Sequence, residues 1–215
     1  MVQKMFGIVN FSGFLISSVL LNITPGSDTI YILSKSATGG RKRGIASALG
    51  ISTGILIHTL LAAVGLSIVL AKSAVLFNIL KIAGATYLIV MGIKAIISKE
   101  SIISGNENEK NNDLLHFYKQ GILTNVLNPK VALFFLALLP QFVDVGNTYG
   151  PLPFILLGCT FFVTSTIWTI IIACLSSLVT GILNRNEKIS SISNKAAGMV
   201  YIGLGLNLLR AKVAN

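Results

Sequence analysis

Asn22-Ile23-Thr24-Pro25-Gly26-Ser27-Asp28 and Asn125-Val126-Leu127-Asn128-Pro129-Lys130 are two proline-centred breaks inside otherwise apolar stretches of membrane length, about half a chain apart. A proline within a helix removes an amide donor and pushes the preceding residue out of helical geometry. Thr24 and Asn128 therefore mark places where a helix stops. Thr and Asn are also N-cap residues, and proline suits the first helical position, so each motif predicts the cap and first turn of a new half-helix. Broken apolar segments at matching places in two halves are how secondary transporters build a substrate site near the bilayer midplane.

The surrounding chain fits that setting. Of 215 residues, 53% are hydrophobic and 11% charged, and the mean hydropathy is +0.79, well beyond what a soluble domain of this length needs. A membrane span takes roughly 20 apolar residues as helix. Six segments qualify, near residues 6–37, 45–70, 73–97, 119–143, 152–181 and 192–209. The predicted fold is thus an all-α membrane protein of six transmembrane helices, the first and fourth broken at Pro25 and Pro129. Residues 98–118 carry Glu100, Glu107, Glu109, Lys110 and Asp113 among several Asn and read as a polar cytoplasmic linker. It separates a first three-helix repeat, 1–97, from a second, 119–215. Three spans per half force the second half to enter the membrane in the opposite sense, so the repeat is an inverted one.

The net charge of +10 does not point to nucleic acid, because the basic residues sit in short loops and form no helix face or aromatic-interleaved patch. Taken alternately, loops on one side hold Lys35, Arg41, Lys42, Arg43, Lys94, Lys99, Lys110, Lys119, Arg185, Lys188 and Lys195, and on the other mainly Lys4, Lys72, Arg210 and Lys212. The positive-inside rule then puts both termini outside a cytoplasmic (inner) membrane that the chain crosses several times. The apolar run behind Lys4 is too long for a signal-peptide core and lacks a cleavage site. Cys159 and Cys174 have no metal-type spacing. Gly50 and Gly54, with Gly198, Gly203 and Gly205, predict close helix packing and allow a homodimer.

Two half-helix N-termini would each offer unpaired amides and partial positive charge to an anionic group such as a carboxylate, with Gly26 giving room for close approach. Asp28 is the one acid deep in an apolar span. It either complements the helix dipole or takes a substrate ammonium, a proton, or each in turn. Lys130 opposes the dipole of its own half-helix and sits where a lysine costs about 2.5–3.5 kcal/mol on insertion scales. A bridge to Asp28, a watery cavity or a substrate carboxylate would offset that. His58 is a packing residue or a proton relay. Asn22, Asn125 and the hydroxyls of Thr160, Thr164, Ser165, Thr166 and Thr169 line a cavity or bond nearby backbone.

These residues carry a resemblance. Thr24-Pro25-Gly26-Ser27-Asp28 is similar to the first-span signature of the lysine exporter and homoserine/threonine efflux (LysE/RhtB) family, in which a second proline usually stands where Ser27 is. Gly39-Gly40-Arg41-Lys42-Arg43-Gly44, the stretch Leu80 to Leu88, and Asn128-Pro129-Lys130 ahead of Leu139-Pro140-Gln141-Phe142 resemble that family in order and spacing. The resemblance covers nearly the whole chain. It implies an inner-membrane exporter of amino acids or close derivatives, driven by proton antiport and acting as a dimer.

Other classes fit less well. A channel could also be built from half-helices meeting at a midplane, but buried opposite charges favour a carrier. Metal-cation export lacks clustered ligands in the spans. No triad spacing, phosphate loop or paired carboxylates suggest an enzyme, and no cofactor motif is present.

Overall fold

The computed structural model describes residues 6–66, 74–97, 113–144, 146–185 and 187–210. Every regular element among them is helical, and the sole extended pairing is a single bridge between Ile8 and Val143. Helix α1, Phe11–Ile23, starts five residues later than expected, because Asn10 takes the left-handed conformation (φ 51°) and caps the helix by accepting from the Gly13 amide at 3.2 Å. It ends as the sequence predicts. Thr24 is extended ahead of Pro25 (ψ 118°).

Helix α2, Ser27–Leu61, does not begin at the expected cap. Pro25 and Gly26 stay outside the helix, and Gly26, extended at φ −157° and ψ −173°, is the N-cap, with no side chain bonding the first amides. Thr24 is instead the C-cap of α1, its hydroxyl donating back to the Leu20 carbonyl. The cap assignment from the sequence is thereby corrected: a helical carbonyl one turn behind is nearer to the Thr24 hydroxyl than amides beyond a non-helical Pro-Gly pair. α2 is interrupted once more, at Gly40 (φ 77°, ψ 175°), a conformation reserved for glycine. That single residue does the turning for which the sequence reading set aside a loop. A π-turn, Ala62–Leu66, extends α2.

Helix α3 covers Ala74–Ile97. The predicted linker lies mainly outside the described residues, as do Lys4, Lys72, Lys99, Lys110 and Lys212; its last part is already helical, since α4, Leu114–Val126, is capped by Asp113. At the second break Asn128 is the N-cap of α5, Pro129–Leu133, and accepts from the Lys130 amide at 3.0 Å. A π-turn, Phe134–Leu138, and a 3₁₀ turn, Leu139–Phe142, continue α5. Helices α6, Leu152–Arg185, and α7, Glu187–Arg210, complete the chain.

Among the described residues two helices are long and apolar enough to cross a membrane, Gly39–Leu66 and Leu152–Ser176; the pair Leu114–Val126 and Pro129–Phe142, bent by 47°, makes a third if counted as one span. Large apolar side chains such as Ile16, Leu60, Val64, Val163 and Ile167 face outward, a surface suited to lipid rather than water. Inside, α2 packs on α4 and α6, and α3 on α7. Phe14, Phe134, Phe135, Phe142 and Phe161 interlock, with Phe134 and Phe161 stacked at 4.4 Å. Gly50 of α2 faces Gly121 of α4 so closely that a β-carbon at Gly50 would lie 2.0 Å from the Tyr118 carbonyl oxygen. The Gly50 and Gly54 face expected from the sequence is therefore used within one chain, where Gly54 meets Asn125.

Candidate functional site

The two breaks meet inside the bundle. Lys130, 6% exposed, reaches from α5 across to the end of α1 and donates to the Leu21 carbonyl at 2.9 Å and the Thr24 carbonyl at 2.7 Å. These carbonyls lose their helical partners where Pro25 stops α1, and they form the negative end of its dipole. The ammonium that opposes its own half-helix thus complements the other one. Gly26 gives it space, since a β-carbon there would lie 3.2 Å from Nζ. The Tyr201 ring of α7 stands 6.0 Å from Nζ, and its hydroxyl donates to the Pro25 carbonyl at 3.1 Å.

No hydrogen bond or close ion contact joins Asp28 and Lys130, although the two opposite charges attract each other across the site. Instead the Asn125 side-chain amide donates to Asp28 Oδ2 at 2.7 Å. The Asn125 main-chain carbonyl lies 3.2 Å from His58 Nε2. A carbonyl can only accept, so Nε2 carries the proton in this contact. The His58 ring stacks on Phe135 at 5.5 Å. One chain of contacts therefore runs from Asp28 through Asn125 to His58.

Three buried polar atoms in this cluster make no well-aligned hydrogen bond, Asp28 Oδ1, Asn125 Oδ1 and Asn128 Nδ2, although the side chains of Asn128 and Asp28 do interact with each other. Buried polar groups are nearly always satisfied, so Asn125 Oδ1 without a partner, beside a loose Asp28 and Asn128 contact, requires an explanation. Two are acceptors and one is a donor, and they adjoin the α2 N-terminus, which no side chain caps. Together they can receive a small group that has both donors and acceptors.

Of the residues singled out in the sequence, Thr24, Pro25, Gly26, Asp28, His58, Asn125, Asn128, Pro129 and Lys130 are gathered here. Asn22 turns to α6 and donates to Thr164 at 3.4 Å. Thr160 and Thr169 bond their own helix backbone, whereas Thr166 donates to Ser52 of α2 at 2.8 Å. Cys159 and Cys174 are free, and Arg41 reaches Cys174 Sγ at 2.9 Å. Among the described residues no three His, Cys, Asp or Glu side chains gather as metal ligands. Tyr201 escaped the sequence reading. A phenol in an apolar helix was its one available signal, and nothing local tells that it reaches Pro25.

Beyond His58 lies a cavity of about 380 Å³ lined by Leu61, Ala62, Gly65, Leu66, Ala132, Phe135 and Leu136. His58 is the wall it shares with the polar cluster.

The family model of LysE type translocators matches residues 19–212. The uncharacterized membrane protein YrhP of Bacillus subtilis is 31% identical over 198 residues, which cover 88% of this chain and 93% of that protein. The leucine efflux protein of Klebsiella pneumoniae is 26% identical over 203 residues, 94% of this chain and 96% of that protein. That of Salmonella choleraesuis is 25% identical over the same shares. No solved structure matches the chain.

Proposed function

The chain belongs to the LysE type translocator family, and on that premise we propose that it exports amino acids or close derivatives across the cytoplasmic membrane by proton antiport. It is a transporter and not an enzyme. The observation that carries the reading is the buried cluster of Asp28, Asn125 and Asn128 between the breaks, in which Asn125 Oδ1 has no partner and Asp28 and Asn128 are joined only loosely. Asp28 Oδ1 and Asn125 Oδ1 accept from a substrate ammonium. Asn128 Nδ2 and the uncapped amides at the start of α2 take the carboxylate. Such a site is the complement of a zwitterion, and its neutral total charge keeps the desolvation cost of each pole low. Leucine efflux relatives covering almost the full chain support an amino-acid cargo.

Lys130 holds the carbonyl end of α1 in place and adds positive potential on the carboxylate side. Asp28 binds ammonium or a proton but not both, and this exclusion is what couples outward substrate movement to inward proton movement. His58 is the second group beside the cluster able to hold the transported proton, and Asn125 positions it relative to Asp28 without itself carrying the proton. The equal lengths of α1 and α4, 13 residues each before their breaks, support two inverted three-helix repeats making six spans. The loop charges support outward termini.

The test is counterflow of labelled leucine in proteoliposomes. Trans-stimulated exchange is expected, as only a carrier shows it. Asp28→Asn should lower exchange about 10- to 100-fold, the equivalent of one charged hydrogen bond of about 1.5–3 kcal/mol. Unchanged exchange in that variant would sink the reading.

A further inference from the structure

A cavity beside His58 adjoins the polar cluster, and its chemistry differs sharply from the cluster's. Seven of its lining residues are apolar. The eighth, His58, has Nε2 committed to the Asn125 carbonyl and its ring face committed to Phe135. No carboxylate lines the cavity. Its floor is buried, with Ala62, Leu66 and Phe135 at 2–3% exposure, while Leu61 and Leu136 form an open rim. A volume of about 380 Å³ falls within the range of small-ligand sites.

We infer that this cavity receives the side chain of the exported amino acid and selects neutral aliphatic ones. The inference rests on the zwitterion reading of the polar cluster. With ammonium and carboxylate held at Asp28, Asn125 and Asn128, the cavity that shares the His58 wall is an apolar space beside them among the described residues. A branched aliphatic chain there exchanges water for apolar walls. A lysine or arginine chain would bring a charge into a cavity without a counter-charge, which is strongly unfavourable. Polar side chains find little to bond, because one nitrogen of the sole polar lining residue, His58, is already committed to the Asn125 carbonyl.

Two positions allow the void to be filled from the protein side. A β-carbon on Gly65 meets no atom within 4 Å, so Gly65→Ile extends into open space. Ala132, half-buried, lines the same cavity, and Ala132→Leu adds volume there. In proteoliposome counterflow with labelled leucine, alanine and lysine, the unsubstituted protein should exchange leucine and alanine well and lysine poorly. Each filling variant should lose leucine exchange about tenfold or more and keep alanine exchange within about twofold, since a methylene-sized change in an apolar pocket discriminates about 10- to 200-fold. A binding readout stands beside it: in a chain carrying Gly65→Cys with Cys159→Ser and Cys174→Ser, leucine but not lysine should slow maleimide labelling at position 65.

Leucine exchange unchanged by both filling variants, with labelling indifferent to leucine, overturns the inference and leaves the cavity to lipid or a second copy. Lysine exchange as fast as leucine also overturns it. If the unsubstituted protein exchanges no amino acid at all, the export reading itself falls, a result distinct from a loss of selectivity.

Discussion

Lys130 donates to two carbonyls of a helix it does not belong to, and this single side chain resolves what would otherwise be two separate costs. An ammonium buried in a span and carbonyls orphaned by Pro25 each require a partner, and each supplies the other's. Lys130→Met should leave both carbonyls unsatisfied and lower the melting temperature in detergent by several degrees, at about 2–4 °C per kcal/mol for a chain of this size. Lys130→Arg keeps the charge but must fit a planar fork against Gly26, so it should retain more stability than Lys130→Met while losing most leucine exchange. Equal melting temperatures for Lys130→Met and the unsubstituted protein would refute this account. Tyr201→Phe removes only the donor to the Pro25 carbonyl. About 1 kcal/mol of stability should go with it, with the ring contact to Lys130 retained.

The two breaks differ as elements although their sequences look alike. At the second, Asn128 caps and Pro129 opens the half-helix, so the local reading of Asn-Pro was sufficient. At the first, the hydroxyl of Thr24 bonds the turn behind it and Gly26 takes the capping position. Whether a Thr side chain bonds forward or backward depends on the next two residues' backbone, which a propensity argument does not resolve. Ser27 opens α2, at a position where proline is favoured because its amide needs no helical partner. Ser27→Pro should therefore raise stability by about 0.4–1 kcal/mol through the unfolded chain while lowering leucine exchange, because it removes the first of the amides proposed to hold the carboxylate. Gly40 carries the opposite expectation. Its φ of 77° and ψ of 175° would strain any other residue, so Gly40→Ala should lower stability by about 1–3 kcal/mol, measured as the same melting shift.

At the scale of the whole molecule, the proton-coupled exchange predicts a response to the gradient. With proteoliposomes loaded with leucine, an outside pH below the inside pH should speed efflux, and a protonophore should abolish that gain while leaving counterflow intact. Efflux indifferent to the gradient would remove the antiport step but not the carrier. Composition and the spacing of Pro25 and Pro129 were enough to determine an all-helical membrane chain with two broken segments, because apolar length and helix-breaking are local properties of the residues concerned. The partners across the breaks were not legible. Lys130 with Leu21 and Thr24, Tyr201 with Pro25, and the cavity behind His58 join residues far apart in the chain, and hydrogen bonds of that kind depend on how helices rotate and approach. That approach is set by close glycine contacts such as Gly50 on Gly121 and by the interlocked phenylalanines. The acid and the base were legible as a pair, but only the packed bundle decided that each turns to a different neighbour.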